Sequence, residues 1–200
     1  LSRFAAARDP GEILVDALEL LLGRDSALRL EEPGPDPGAL DAIFRSALRA
    51  PDHGRLRPWR FVLIPRDRRG RLGDVLAEAL RLREPNAPPE SLAREREKAL
   101  RAPVIIVVAA QLKPSDKIPE VEQIVSAGAA AQNIMLAAHA LGFGAMWRTG
   151  APAYDATVKQ ALGLDVNDAI IGFLYLGTRA GGASPVPRPV AEDFVTVWRG

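Results

Sequence analysis

The chain has no cysteine among its 200 residues. Disulfides, thiolate metal sites and cysteine nucleophiles are therefore excluded, and the composition fits a cytoplasmic protein without requiring one. Histidine is nearly as scarce. His53 and His139 are the only two, far apart in sequence, which argues against a His-rich metal site. Net charge is only +1, so the whole molecule offers no field for nucleic acid and any basic cluster acts locally. The longest unbroken apolar run, Val104 to Ala110, is too short to cross a bilayer. No Gly-x-Gly-x-x-Gly and no P-loop occurs; Gly142-Phe143-Gly144 follows a helical pattern and reads as a turn. Leu1 to Pro10 contains no signal-peptide core. Residues 1–12 read as a tail ahead of one domain over 13–200, with 178–200 as a C-terminal extension. That length buries a core without staples.

What is present is organised around Leu48 to Val62. Before it, Leu40, Ile43, Phe44, Ala47 and Leu48 recur at helical spacing. After it, Phe61-Val62-Leu63-Ile64 is a short apolar run of the buried-strand kind. Pro51 ends the helix near Ala50, because the residue before a proline avoids the helical region. The loop between carries Arg49, His53, Arg55, Arg57 and Arg60, with Trp59 as an anchor. So many donors suggest an anion or an acceptor-rich cofactor; the plainer reading is a solvated basic loop.

The other elements follow from pattern. A helix from about Glu12 to Leu22 buries Leu14, Ala17, Leu18, Leu21 and Leu22, with Gly23 suited to a left-handed cap. Leu28 and Leu30 flank a short extended piece, and Asp36-Pro37 opens the helix that delivers Arg49. Helices follow at Arg69 to Arg83 and Glu90 to Leu100. Val104 to Val108 is a strand buried on both faces, since nothing in it alternates. Lys113 to Pro119 is a polar loop. Glu120 to Leu141 is the longest helix and rich in alanine, so it is either the central core helix or a subunit contact; His139 reads as a core histidine. A strand at Ala145 runs into a donor-rich loop at Gly150, a short helix spans Tyr154 to Leu162, and Ile170 to Leu176 is a strand. Phe194 to Trp198 alternates like a lone strand that needs an edge, from a partner subunit or from its own domain.

Three donor clusters lie beside element ends, where binding residues tend to be placed: Arg24-Asp25-Ser26, the Arg49/His53 loop, and Trp147-Arg148-Thr149. Arg-x-Ser after a first short amphipathic helix, followed by an Ala-Pro segment ending in Pro58-Trp59-Arg60-Phe61, resembles the flavin-dependent nitroreductase family. The likeness is closest to the YdjA-type branch of small NAD(P)H nitroreductases. Arg49-Ala50-Pro51-Asp52-His53, Gly142-Phe143-Gly144, Trp147-Arg148 and Gly172-Phe173-Leu174-Tyr175-Leu176-Gly177 look like that branch. Each fragment is weak alone; their order and spacing are specific.

The resemblance implies an α+β fold with a central, mainly antiparallel sheet flanked by helices. It also implies an intertwined homodimer, with two FMN molecules at the interface and the C-terminal strand open to exchange. Arg24, Asp25 and Ser26, with Trp147, Arg148 and Thr149, would hold FMN from one subunit, and Arg49 and His53 from the other. Reducing equivalents would pass from NAD(P)H through FMN to a nitroaromatic, quinone or related small acceptor by a ping-pong mechanism. No protein acid or base is obligatory, so no catalytic residue is assigned, and no metal is implied. Asp25 departs from a pattern in which many relatives carry a second arginine. Its carboxylate would repel phosphate, so it either offers its backbone or pairs with a neighbouring arginine. Arg55 and Arg57 depart likewise, adding positive potential near the flavin or lying exposed. The contrasting expectation is a non-catalytic protein that sequesters FMN or another phosphorylated ligand.

Overall fold

The computed structural model describes residues 16–182 and 187–200; the tail over 1–12 and Leu14 lie outside the described residues. Five strands form one sheet in which every pairing is antiparallel: β1 (Leu30–Glu31), β2 (Trp59–Ile64), β3 (Val104–Ala110), β4 (Gly144–Arg148) and β5 (Ala169–Arg179). β5 is the long central strand. β3 and β4 pair along it, β1 pairs with its last residues, and β2 lies beyond β3. Among the described residues, six α-helices accompany the sheet: α1 (Ala17–Gly23), α2 (Pro37–Ala47), α3 (Arg69–Arg83), α4 (Pro89–Glu97), α5 (Glu120–Ala140) and α6 (Ala156–Ala161). None of the described helices is long and apolar enough to cross a membrane.

All seven residues of β3 are buried, as an unalternating apolar run requires. Val104, Ile106, Val108 and Ala110 pack against α2 and α5, through Ile43, Ala47, Ala130 and Ile134 among others. Ile105 and Val107 face the opposite layer, with Leu72, Leu76 and Ala79 of α3 and Val158 of α6. The sheet therefore sits between two helical layers, an α+β architecture. The alanines of α5 bring it down onto the sheet, with Ala127, Ala130, Ala131 and Ala138 fully buried. Asn133 and Ser126 tie it to the end of α2, donating to the carbonyls of Ser46 at 3.1 Å and Pro51 at 2.6 Å. α5 is thus the central core helix, while its outward Val121 and Val125 stay exposed.

Four expectations change. Asp16 caps α1 by accepting from the Leu18 and Glu19 amides, but no residue of α1 is buried, and Leu22 is 74% exposed. Apolar spacing marks a face that needs cover without saying which chain supplies it. Gly23 ends the helix rather than adopting a left-handed cap; it lies against half-buried His139, whose Nε2 is 3.6 Å from where a glycine Cβ would stand. The helix expected from Tyr154 begins later, because Ala151–Tyr154 forms a 3-10 turn and Asp155 caps α6. Phe194 to Trp198 forms no strand here; a 3-10 turn at Ala191–Asp193 precedes it, and Trp198 is 88% exposed. An alternating segment becomes a strand only against an open edge.

Ile106 is fully buried in the layer shared with α5. Ile106→Ala should destabilise the chain by about 2–5 kcal/mol, read as a lower urea midpoint with unchanged slope.

Candidate functional site

Trp147 and Gly172 set the shape of the sheet edge where the site lies. The indole packs so closely over Gly172 that a Cβ there would stand 2.2 Å from Nε1. The indole N–H donates to the Ile171 carbonyl at 3.1 Å. Alternate residues of a strand share a face, so Met146 and Arg148 of β4 turn to the side of Phe173 and Tyr175, their register partners on β5 being Tyr175 and Phe173. Past Arg148 the chain leaves the sheet through Thr149 and Gly150, the latter at φ 92°.

On that side lie two adjoining cavities of about 410 and 320 Å³, both lined by Arg101, Arg148 and Tyr175. The 27–30 segment, Leu100 and Met146 wall the first. Leu76, Lys98, Trp147, Thr149, Pro152 and Phe173 wall the second. Among the described residues, no acidic one lines either cavity. Lys98 is balanced by Glu95 at 2.5 Å. The guanidinium groups of Arg29, Arg101 and Arg148 have no hydrogen-bond or ion-pair partner among the described residues. Tyr175 is 5% exposed. Burial pushes its phenol above the ordinary value, opposed by the charges of Arg101 and Arg148. No group of described residues could hold a metal ion.

The expected residues divide between two places. Trp147, Arg148 and Thr149 line the groove. Arg24, Asp25 and Ser26 immediately precede its wall, where the Ala27 amide donates to the Ala145 carbonyl at 2.9 Å and lays the segment along β4. The Asp25 carboxylate accepts both terminal nitrogens of Arg179, Nη1 at 3.2 Å and Nη2 closer still. Of the two roles open to Asp25, pairing with an arginine is the one observed. The Arg24 carbonyl accepts from Arg188 Nη2 at 3.3 Å.

Arg49 and His53 are not brought to this groove. Arg49 is exposed just past α2. His53 Nδ1 lies 2.5 Å from Glu122 Oε2 of α5, beside an apolar surface formed by Val121, Val125 and Ala129. The loop holding His53 is bent to an unusual degree. Gly54, Arg55 and Arg57 have φ of 66°, 56° and 49°, a conformation costly for the two arginines. Asp52 Oδ2 accepts from the Arg57 amide at 2.9 Å, and Lys113 Nζ donates to the Leu56 carbonyl at 2.6 Å, holding the bend. At Gly54 a Cβ would stand 2.2 Å from Ile118 Cδ1.

Sequence reading missed Arg29, Lys98, Arg101 and Tyr175 in the groove and Arg179 and Arg188 beside it. Only Tyr175 carried a usable signal, since it shares a strand face with Phe173. The arginines reach the site through tertiary packing.

An antiparallel sheet between helical layers in this order is the fold of the nitroreductases. The Nitroreductase family model matches residues 29–178, three quarters of the chain, and the chain belongs to that family. It is 40% identical over 187 residues to the Escherichia coli K12 protein named "Putative NAD(P)H nitroreductase YdjA", covering 92% of this chain and 100% of that one. A Haemophilus influenzae protein named "Putative NAD(P)H nitroreductase" is 35% identical, covering 91% and 99%. Among solved structures, a "putative nitroreductase in complex with FMN" from Desulfovibrio desulfuricans superposes with TM-score 0.70 at 28% identity, covering 90% of this chain and 95% of that chain. A nitroreductase-like protein from Bacillus cereus has TM-score 0.81 at 21% identity, covering 94% and 99%, and shares the fold.

The close approach at Gly172 gives a direct test. Gly172→Ala should displace the Trp147 indole and break its bond to Ile171, costing about 1–3 kcal/mol. The expected signature is greater acrylamide quenching of tryptophan fluorescence together with a lower melting temperature.

Proposed function

We propose that the chain is an FMN-dependent oxidoreductase that moves reducing equivalents from NAD(P)H to a nitroaromatic, quinone or related small acceptor by a ping-pong mechanism. It works as a homodimer, with 13–200 as one FMN-binding domain. The observation that carries this reading is the groove itself, with apolar walls, no acidic lining among the described residues and the unpartnered Arg148. Such a cleft fits a flat ring rich in acceptors and bearing a phosphate. The Desulfovibrio structure's name records FMN, and the name of YdjA records NAD(P)H. When bound, FMN supplies a ring able to take up reducing equivalents from NAD(P)H and release them to an acceptor.

The chain's own residues bind and orient. Arg24 and Ser26 offer a guanidinium fork and a hydroxyl for the phosphate. Asp25 positions Arg179 rather than touching the ligand through its carboxylate. Trp147 contributes ring surface only, because its N–H is engaged by Ile171. Arg148 places positive charge where the reduced ring is anionic, and Thr149 offers a hydroxyl. Arg49 and His53 reach the groove from the partner. Their separation from it within one chain supports that assignment, as do the uncovered apolar residues of α1, α5 and the C-terminal extension. Removing those surfaces from water is a sufficient driving force for a two-fold dimer. A strand formed by Phe194 to Trp198 on the partner's sheet belongs to the same proposal.

Purified protein should be yellow, and NADPH should bleach it without air. Arg24→Ala should remove roughly 1.5–3 kcal/mol of FMN affinity, a loss of about ten- to 150-fold, measured by dialysis against FMN. A colourless protein that FMN does not restore contradicts the flavin reading. A yellow one that no nicotinamide bleaches points instead to a sequestering protein.

A further inference from the structure

The groove holds more positive charge than the proposed flavin site uses. Near the 24–27 segment, Arg24 and Arg188 meet, with the Arg188 guanidinium on the Arg24 carbonyl. These two supply counter-charge for one phosphate. Arg179 is neutralised by Asp25 and Lys98 by Glu95. Arg148 faces the interior common to both cavities. Two cations are then left over, Arg29 and Arg101, both exposed and both lining the first cavity.

Each of these arginines stands next to an exposed leucine on the same wall. Leu28 is 69% exposed and precedes Arg29; Leu100 is 53% exposed and precedes Arg101. Apolar surface and unneutralised charge are thus paired twice at the mouth of one cavity. Among the described residues no acidic one lines the cavity, and Glu95 and Asp25 are engaged by Lys98 and Arg179.

We propose that Arg29 and Arg101 form an anion subsite at the rim of the groove, which selects aromatic substrates carrying a carboxylate or sulfonate. The leucines take the ring and the guanidinium forks take the acid group. Calling that substrate an electron acceptor rests on the proposed function; the subsite rests on the geometry of the rim. An acidic nitroaromatic or quinone is the class that fits.

The test compares 4-nitrobenzoate with 4-nitrobenzamide, two ligands of nearly the same shape that differ by one charge. Binding is measured by calorimetry on the purified protein with its retained flavin, so no turnover is needed. Wild-type protein should bind the carboxylate at least about tenfold more tightly, and added salt should shrink that preference. The Arg29→Gln/Arg101→Gln variant should show a ratio near one, whereas Arg29→Lys/Arg101→Lys should keep most of it. Equal binding of the two ligands by wild-type, or a preference untouched in the glutamine variant, overturns the subsite. Release of flavin by the glutamine variant overturns it too, because the arginines then belong to the cofactor site. A wild-type protein that NADPH cannot reduce but that still prefers the carboxylate refutes the oxidoreductase reading and supports the subsite.

Discussion

Seven consecutive apolar residues in β3 cannot be left wet on either side, and both helical layers follow from that requirement. α2 and α5 cover one face and α3 and α6 the other, leaving the middle of the sheet closed to ligands. The cleft lies at the edge where β4, only five residues long, gives out beside β5. There the 27–30 segment and the turn at Lys98–Leu100 rise above the sheet and make a cleft between them. The position of the groove is therefore a consequence of how the core is covered.

The elements that were legible in the sequence are those whose pattern answers to local physics. The unalternating β3, the helix started by Asp36-Pro37 and the small-residue face of α5 all came out as read, and Trp59 is buried as an anchor should be. Misreadings cluster where a residue's fate depends on something outside its own segment. α1 has an apolar stripe but no cover among the described residues. Phe194 to Trp198 alternates but finds no edge. Charge behaved the same way. Arg24, Arg148 and Thr149 could be singled out because they follow element ends. Arg29 and Arg101, from different parts of the chain, meet only through packing.

Pairing of charges separates residues that hold the fold from residues free to hold a ligand. Arg179 and Lys98 are matched within the chain. Partly buried pairs of this kind are costly to break from one side, which makes Asp25 a structural partner rather than an open acceptor. Arg148, half-buried, and Tyr175, buried, have no match among the described residues, and both line the two cavities. The exposed apolar groups tell a parallel story. Those of α1, the outer side of α5 and the C-terminal extension make a large uncovered area for a single chain, and Arg49 and His53 lie beside part of it.

The account therefore turns on each site being built by two chains, and a mixed dimer tests that most directly. Arg24→Ala and Arg49→Ala proteins carrying different tags are co-expressed, the mixed dimer is isolated, and bound FMN is counted against protein. Each parent homodimer, damaged at both sites, is first shown to hold little flavin. A two-fold interface uses each patch once from each chain. The mixed dimer then gathers both defects in one site, leaves the other whole, and should bind about one FMN per dimer. A mixed dimer as empty as its parents would place Arg24 and Arg49 in the same chain's site and contradict the account.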